Sequence, residues 1–154
     1  MREQPMNEQA TISARAPRYH DPETIREILR ESKTIAVVGL SPNPERPSNS
    51  VSRYMQAQGY RIVPVNPNAR EILDETCYPS LSAIPFPVDV VDVFRAAEAT
   101  PPIAREAVAI GAKAIWFQLG VINDEAVAIA QEGGLKIVVD RCILVEHRRY
   151  AGTL

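Results

Sequence analysis

The sequence predicts an α/β domain: a doubly wound, mainly parallel sheet with helices on both faces. Three observations carry this. Short β-branched apolar runs alternate along the chain with segments whose apolar residues recur at helical spacing. The strand runs are apolar nearly throughout rather than in alternation, as strands buried on both faces are. Turn residues separate the two kinds of segment, and right-handed crossovers then wind helices onto both sides of the sheet.

Residues 1–20 are polar, contain two prolines and show no periodicity, so they are expected to form a mobile tail ahead of one domain over 21–154. Asp21 can cap a helix with Pro22 at its first position, and Ile25, Ile28 and Leu29 share one face as far as about Ser32. Residues 34–40 (TIAVVGL) are a strand running into a turn. Residues 50–58 read as a helix with Val51, Tyr54 and Met55 on one face and Gly59 as its stop. Residues 60–65 form a second strand, and Pro64 argues against a fully paired central position for it. The stretch from Asn66 to Ile84 is irregular, with a short strand near Cys77 and Tyr78 and a single helical turn near 80–82. Residues 88–94 (VDVVDVF) are a strand, 101–110 a helix opened by two prolines and closed by Gly111, and 113–119 (KAIWFQL) another strand. Asn123 caps a helix to Gln131 that Gly133 and Gly134 end, and 136–139 is the last strand. The chain has no internal repeat and no low-complexity segment.

Composition narrows the function classes. The chain has 154 residues, 45% apolar and 23% charged, an ordinary balance for one globular domain. Its 17 basic and 19 acidic residues give a net charge of −2, which argues against nucleic-acid binding by bulk charge. No apolar run approaches the roughly 18 residues that a membrane span needs, and the N-terminus lacks the apolar core of a secretory signal. With Cys77 and Cys142 far apart and two histidines in all, a zinc site is not expected, and the thiols read as free in a reducing, cytoplasmic setting.

In a doubly wound sheet ligands bind beyond the carboxyl ends of the strands, so the strand-end residues are the ones to read. The first strand runs into Gly39-Leu40-Ser41-Pro42-Asn43-Pro44-Glu45-Arg46-Pro47-Ser48-Asn49-Ser50 and then a helix. Three prolines stiffen this loop, Ser41, Ser48, Asn49 and Ser50 offer donors, Arg46 adds a charge, and a helix N-terminus favours an anion. The loop is therefore a candidate cradle for a phosphate or pyrophosphate; the plainer alternative is a rigid turn with Ser48 or Asn49 as an ordinary cap. There is no G-x-G-x-x-G and no P-loop sequence, and the second strand ends in Asn66-Pro67-Asn68 rather than in an acidic residue for a ribose. A standard NAD(P) site is thereby disfavoured. Phe94 and Arg95 end the third strong strand, either as a ring and charge for a ligand or as a core ring and a surface base. Gln118 sits where a polar group can face the pocket, while Trp116 reads as core. Asp140-Arg141-Cys142 ends the last strand, as pocket residues or as a surface ion pair beside a structural thiol. A Cys142–His147 nucleophile–base pair is conceivable, but a basic, exposed chain end is the favoured reading of His147. Asp92 reads as a strand-end or pocket polar group rather than acid–base machinery.

Several of these stretches, in this order and with compatible spacing, resemble a known family: the small stand-alone CoA-binding proteins related to the CoA-binding domain of the succinyl-CoA synthetase alpha subunit. The stretches are 35–41 (IAVVGLS), 46–48 (RPS), 59–67 (GYRIVPVNP), 88–95 (VDVVDVFR), 110–120 (IGAKAIWFQLG), 140–142 (DRC) and 145–147 (VEH), within residues 22–150. The resemblance implies a Rossmann-like domain that takes coenzyme A or an acyl-CoA as its ligand. It implies that Gly39, Leu40, Ser41, Arg46, Ser48, Asn49, Ser50 and Val51 surround the pyrophosphate, and that Asn66 and Pro67 approach the adenosine. Phe94 and Arg95 would flank the nucleotide or its phosphates, and Gln118, Asp140, Arg141 and Cys142 would line the mouth near the pantetheine arm. Two departures stand out. The base that family members often carry just after the Asn-Pro turn, where it can meet a phosphate, is replaced by Asn68, so either Arg70, the nearest base, reaches back as a cofactor-binding residue or the 3′-phosphate is held less tightly. The phosphohistidine segment of the synthetase is missing, so ligase activity from this chain alone is not expected. The expectation is a binding, sensing or carrier module without chemistry of its own, with no nucleic-acid or membrane partner and a homodimer as one arrangement. The alternatives are an enzyme acting on a CoA thioester through Cys142 or His147, an NAD(P)-binding domain, or an interaction module with a relict pocket.

Overall fold

The computed structural model describes residues 12–154. Helix α1 (Pro22–Glu31) opens as its sequence requires, with Asp21 Oδ2 accepting from Thr24 N at 3.0 Å and proline at the first position. Strand β1 (Thr34–Val38) follows, then helix α2 (Pro47–Ala57) and strand β2 (Arg61–Val65). The irregular stretch after β2 holds a small antiparallel hairpin, β3 (Glu71–Ile72) and β4 (Glu75–Thr76), and a 3-10 turn over Leu81–Ala83. Strand β5 (Val90–Val93), helix α3 (Thr100–Ala109), strand β6 (Ala114–Phe117), helix α4 (Asp124–Glu132), strand β7 (Lys136–Val138) and helix α5 (Ile143–Tyr150) complete the order.

The main sheet runs β2-β1-β5-β6-β7 and every pair in it is parallel. β1 sends its chain outward to β2 on one side, and the next long crossover returns to β5 on the other. The order therefore reverses between β1 and β5, which is the switch point of a doubly wound, Rossmann-like sheet. Alternate residues of each strand serve two cores. On one face Ala36, Val38, Val91, Val93, Ile115 and Phe117 pack with the small and branched residues of α3 and α4. On the other, Ile35, Val37, Val90, Trp116 and Val138 pack with Ile25, Ile28 and Leu29 of α1, Val51 and Met55 of α2, and Ile143 of α5. Burial on both faces explains why the strands carry no polar alternation.

Three expectations are corrected. Helix α2 begins at Pro47, three residues before the predicted start, because proline tolerates the first helical position and Ser48 and Asn49 are buried in the first turn instead of capping it. His147 and its neighbours Glu146, Arg148 and Arg149, read as a basic exposed end, belong to α5, in which Glu146 and His147 are buried while Arg148 and Arg149 face solvent. Of the predicted tail, residues 1–11 lie outside the described residues, but 12–20 are packed. Ala14 and Tyr19 are buried, Ala14 N donates to Asp124 Oδ1 at 2.8 Å, Tyr19 Oη donates to Gln131 Oε1 at 3.0 Å, and Val139 N donates to Tyr19 O at 2.7 Å. A polar sequence hid this because one tyrosine does most of the burying.

That packing has a measurable consequence. Tyr19→Ala empties a buried aromatic site and is expected to destabilise the fold by about 3–5 kcal/mol. Tyr19→Phe loses only the hydroxyl bond, about 1 kcal/mol. Urea unfolding of the two variants checks this; no difference between Tyr19→Ala and the parent means the segment is not part of the folded unit.

Candidate functional site

The carboxyl ends of β1 and β5 meet at Gly39. Its backbone has φ +89°, and a Cβ there would run into the Phe94 carbonyl oxygen and the Arg95 side chain. Gly39 N donates to Val65 O and Phe94 N donates to Val38 O, so three strand ends are tied at this point. Only a residue without a side chain lets the chain leave β1 against β5 in this way.

From Gly39 the loop is braced by the first turn of α2. Ser48 Oγ accepts from Ser41 N at 3.0 Å, and Asn49 Nδ2 donates to Ser41 O at 2.8 Å. Asn49 Oδ1 accepts from Arg53 Nε at 2.8 Å, and Asn66 Nδ2 donates to Leu40 O at 3.0 Å. Asn43 and Ser41 close two further turns, with Glu45 N donating to Asn43 Oδ1 and Asn43 N to Ser41 Oγ. The side chains that might have capped α2 are thus used to hold the loop. Arg46 stands at the N-cap position, and no side chain caps the helix. The positive end of α2 is left facing whatever fills the space before it.

That space is a groove of two lobes that share Gly39 and Arg95. The larger, about 640 Å³, is lined among others by Ser41, Arg46, Ser48, Val51, Phe94, Gln118 and Cys142. The smaller, about 400 Å³, lies over β2 and is bounded by Asn66, Pro67, Asn68, Pro79, Ser80 and Glu106. Both volumes suit a ligand of cofactor size. The groove collects Gly39, Ser41, Arg46, Ser48, Val51, Asn66, Pro67, Phe94, Arg95, Gln118 and Cys142 from the predicted set. The reading of Phe94 and Arg95 as a bare core ring and surface base is replaced by two residues on the groove wall.

Six predicted residues line neither lobe. Leu40 is fully buried in the core beside α2. Asn49 is buried as the loop brace just described. Ser50 is exposed and donates to Pro47 O. Arg70 is exposed before the β3–β4 hairpin, its carbonyl accepting from Cys77 N. Asp140, at φ +60°, turns Oδ1 to Gly120 N at 2.8 Å and so fixes the turn after β6. Arg141 donates from Nη1 to the Asp140 carbonyl, not to its carboxylate, and its own carbonyl accepts from Trp116 Nε1 at 2.8 Å. Asp140 and Arg141 thus brace backbone where an ion pair was one expectation. Sequence reasoning missed Pro47, Ala96, Leu119 and Val121 on the larger lobe and Pro79, Ser80, Ile103 and Glu106 on the smaller. Leu119, 65% exposed, is an apolar residue at the end of a strand, the one signal among these that the sequence offered.

The two histidine and cysteine candidates separate. Cys142 lines the groove, half-buried at the start of α5. His147 lines neither lobe; its Nδ1 pairs with Tyr54 Oη at 2.8 Å, and its ring meets those of Tyr54 and Tyr60 edge-on. Cys142 stands at the N-cap of α5 in extended conformation, while His147 lies within the helix and is buried, so the two are not brought together at the groove. Burial pushes the His147 imidazole below its usual range, which favours its neutral form within the aromatic cluster. Cys77 lies elsewhere, buried, and burial pushes its thiol up. No cluster of three metal-ligating side chains occurs among the described residues, and no helix there is long and apolar enough to cross a membrane.

A family model described as a CoA binding domain matches residues 33–148. A Bacillus subtilis protein, "Uncharacterized protein YneT", is 46% identical over 123 residues, covering 80% of this chain and 91% of that one. A solved structure of a hypothetical protein from Pyrococcus horikoshii superposes with a TM-score of 0.83 at 46% identity, covering 85% of this chain and 92% of that one. An "Acetate--CoA ligase [ADP-forming] I" of Archaeoglobus fulgidus is 28% identical over 121 residues, which make up 72% of this chain and only 18% of that enzyme.

Two outcomes are expected from the site geometry. Gly39→Ala places a side chain against the Phe94 carbonyl in a left-handed conformation and should lower stability by at least about 1–3 kcal/mol, read as a fall in melting temperature. In the native protein a maleimide should modify Cys142 and leave Cys77 unlabelled until the chain unfolds, as peptide mapping by mass spectrometry will read. Equal labelling of both thiols in the folded protein contradicts the assignment.

Proposed function

This chain belongs to the family of CoA-binding domains, and from that premise we propose that its two-lobed groove holds coenzyme A or an acyl-CoA as a non-catalytic binding module. The observation that carries the reading is the uncapped N-terminus of α2 facing the larger lobe, with Arg46 beside it and Arg95 between the lobes. CoA is an anion at two places, the pyrophosphate and the 3′-phosphate, joined to an adenosine at one end and an apolar, amide-bearing arm at the other. A helix end and two arginines supply charge-assisted donors for the phosphates. Arg95 borders both lobes, so it offers a cation where Asn68 lacks one and Arg70 lines neither lobe. In this reading the smaller lobe takes the adenosine end, and the wall of Phe94, Leu119, Val121 and Cys142 takes the arm.

The residues present bind and orient; they do not form a nucleophile with a base. Cys142 lines the groove and His147 does not, its Nδ1 being engaged with Tyr54 Oη. When bound, CoA itself supplies the thiol or thioester. An NAD(P) ligand finds no carboxylate at the end of β2, where Asn66 spends its amide on the Leu40 carbonyl and its Oδ1 on Asn68 N.

Calorimetric titration of ligand-free protein with CoA, dephospho-CoA and NAD tests the reading. CoA should bind at micromolar strength or tighter, about −8 kcal/mol. Arg46→Ala and Arg95→Ala should each weaken it by about tenfold or more, the worth of one hydrogen bond to a charged group. NAD binding in preference to CoA, or no binding of CoA to folded protein, defeats the proposal.

A further inference from the structure

Asp92 lies in the middle of β5, 1% exposed, and is the one acidic residue in the five strands of the main sheet. Its lateral neighbours are Val37 on β1 and Trp116 on β6. Burying a carboxyl among such residues is unfavourable unless it is hydrogen-bonded or neutral, and nothing in the packing of the sheet calls for it. Its partner is Gln118, which donates from Nε2 to Oδ1 at 2.6 Å. Gln118 follows β6, is 4% exposed, and lines the larger lobe. Its Oε1 accepts no hydrogen bond among the described residues. The amide is therefore gripped at one end by a buried carboxyl and offers its other end to the groove.

We propose that Asp92 decides which end of the Gln118 amide faces the groove, so that the groove floor presents a hydrogen-bond acceptor and selects a ligand carrying a neutral N–H donor at that depth. The ligand half of this rests on the CoA reading, because the pantetheine arm of CoA carries two amide N–H groups. The logic is one of valence. An ionised carboxylate can only accept, so Gln118 must turn Nε2 toward it and Oε1 toward the groove. A protonated carboxyl can donate to Oε1, and the amide is then free to turn over and present Nε2. One proton on Asp92 thus exchanges an acceptor for a donor at the groove floor, and a ligand that needs the acceptor binds best when that proton is gone.

The carboxyl is poised for this exchange. Burial, opposed by the Gln118 hydrogen bond, pushes Asp92 up to about 7. The face of the sheet on which Asp92 points carries α1, α2 and α5. The ionisable groups that these helices bury or half-bury are Arg26 and Glu27 on α1, Tyr54 on α2 and Glu146, His147 and Tyr150 on α5, with Arg95 and Cys142 at the groove. None of them contributes to the displacement of Asp92, which comes from burial and Gln118 alone.

Two measurements on the full chain test this. In the ligand-free protein, the Gln118 side-chain NH2 resonances are followed by nitrogen-edited NMR across about pH 5.5–8.5, a span that brackets the ionisation. They should shift with a midpoint near 7 in the parent and stay in place in Asp92→Asn. CoA is then titrated calorimetrically into both proteins over the same range. Its phosphates titrate alike with either, so any difference belongs to Asp92, and the parent should gain at least about fivefold more affinity toward high pH than Asp92→Asn does. Gln118→Met, which removes both ends of the amide, should lose the same dependence and serves if Asp92→Asn does not fold. Gln118 resonances that ignore pH overturn the switch. Identical affinity profiles in proteins that all bind CoA overturn the selection and leave the CoA reading standing. No CoA binding by any of them overturns that reading together with the ligand half of the proposal, and the NMR titration still decides the switch.

Discussion

A parallel sheet covered on both faces has no place for a polar side chain except at the ends of its strands, and the rest of this molecule follows from that constraint. β1, β5 and β6 are apolar at every position but Thr34, where β1 begins, and Asp92, and the two cores on either side leave their interiors no water. Polarity appears where the strands stop: Gly39 and Ser41 after β1, Asn66 after β2, Arg95 after β5, Gln118 after β6. Because the crossovers part between β1 and β5, these ends do not close over one another, and the groove forms in the gap. Asp92 is the single breach of the rule, and it lies one strand away from Gln118, the groove residue it holds.

The groove is shaped by donors and acceptors that are already paired. Ser48, Asn49 and Asn66 look like ligand contacts by type, yet much of their capacity goes to Ser41, Arg53, Leu40 and Asn68. What these bonds do in the structure is hold the loop. By holding the loop they keep the uncapped end of α2 and the Arg46 backbone in one position, so less ordering is left to be done on binding.

Most of the fold is legible in the sequence because it is written in periodicity. The apolar runs of β1, β5 and β6 and the caps Asp21 and Asn123 are local signals, and the structure keeps them within a few residues. What escaped is long-range. The packing of Tyr19 depends on Gln131 and Val139, more than a hundred residues away, and no window around Tyr19 contains that fact. The same holds for α5, whose basic surface concealed a helix anchored by Ile143 and by the pairing of His147 with Tyr54. At the groove, strand ends could be read as such, and so Gly39, Arg95, Gln118 and Cys142 were found. Glu106 and Ile103 enter from the side of α3, by the way that helix crosses the sheet, and Asp140 and Arg141 turn away because a left-handed residue redirects the chain.

The N-terminal segment also closes one margin of the sheet. β7 is an outermost strand, and beyond it Val139 N is already committed to Tyr19 O. At the opposite margin, Pro64 of β2 has no N–H to offer, its carbonyl accepts from Tyr78 N, and Val65 bridges to Tyr78. Each border is thus met at its carboxyl end by the chain's own backbone, which leaves less of the edge open to pairing with a copy. Any partner that docks by adding a strand must first peel away a segment the domain uses for its own stability.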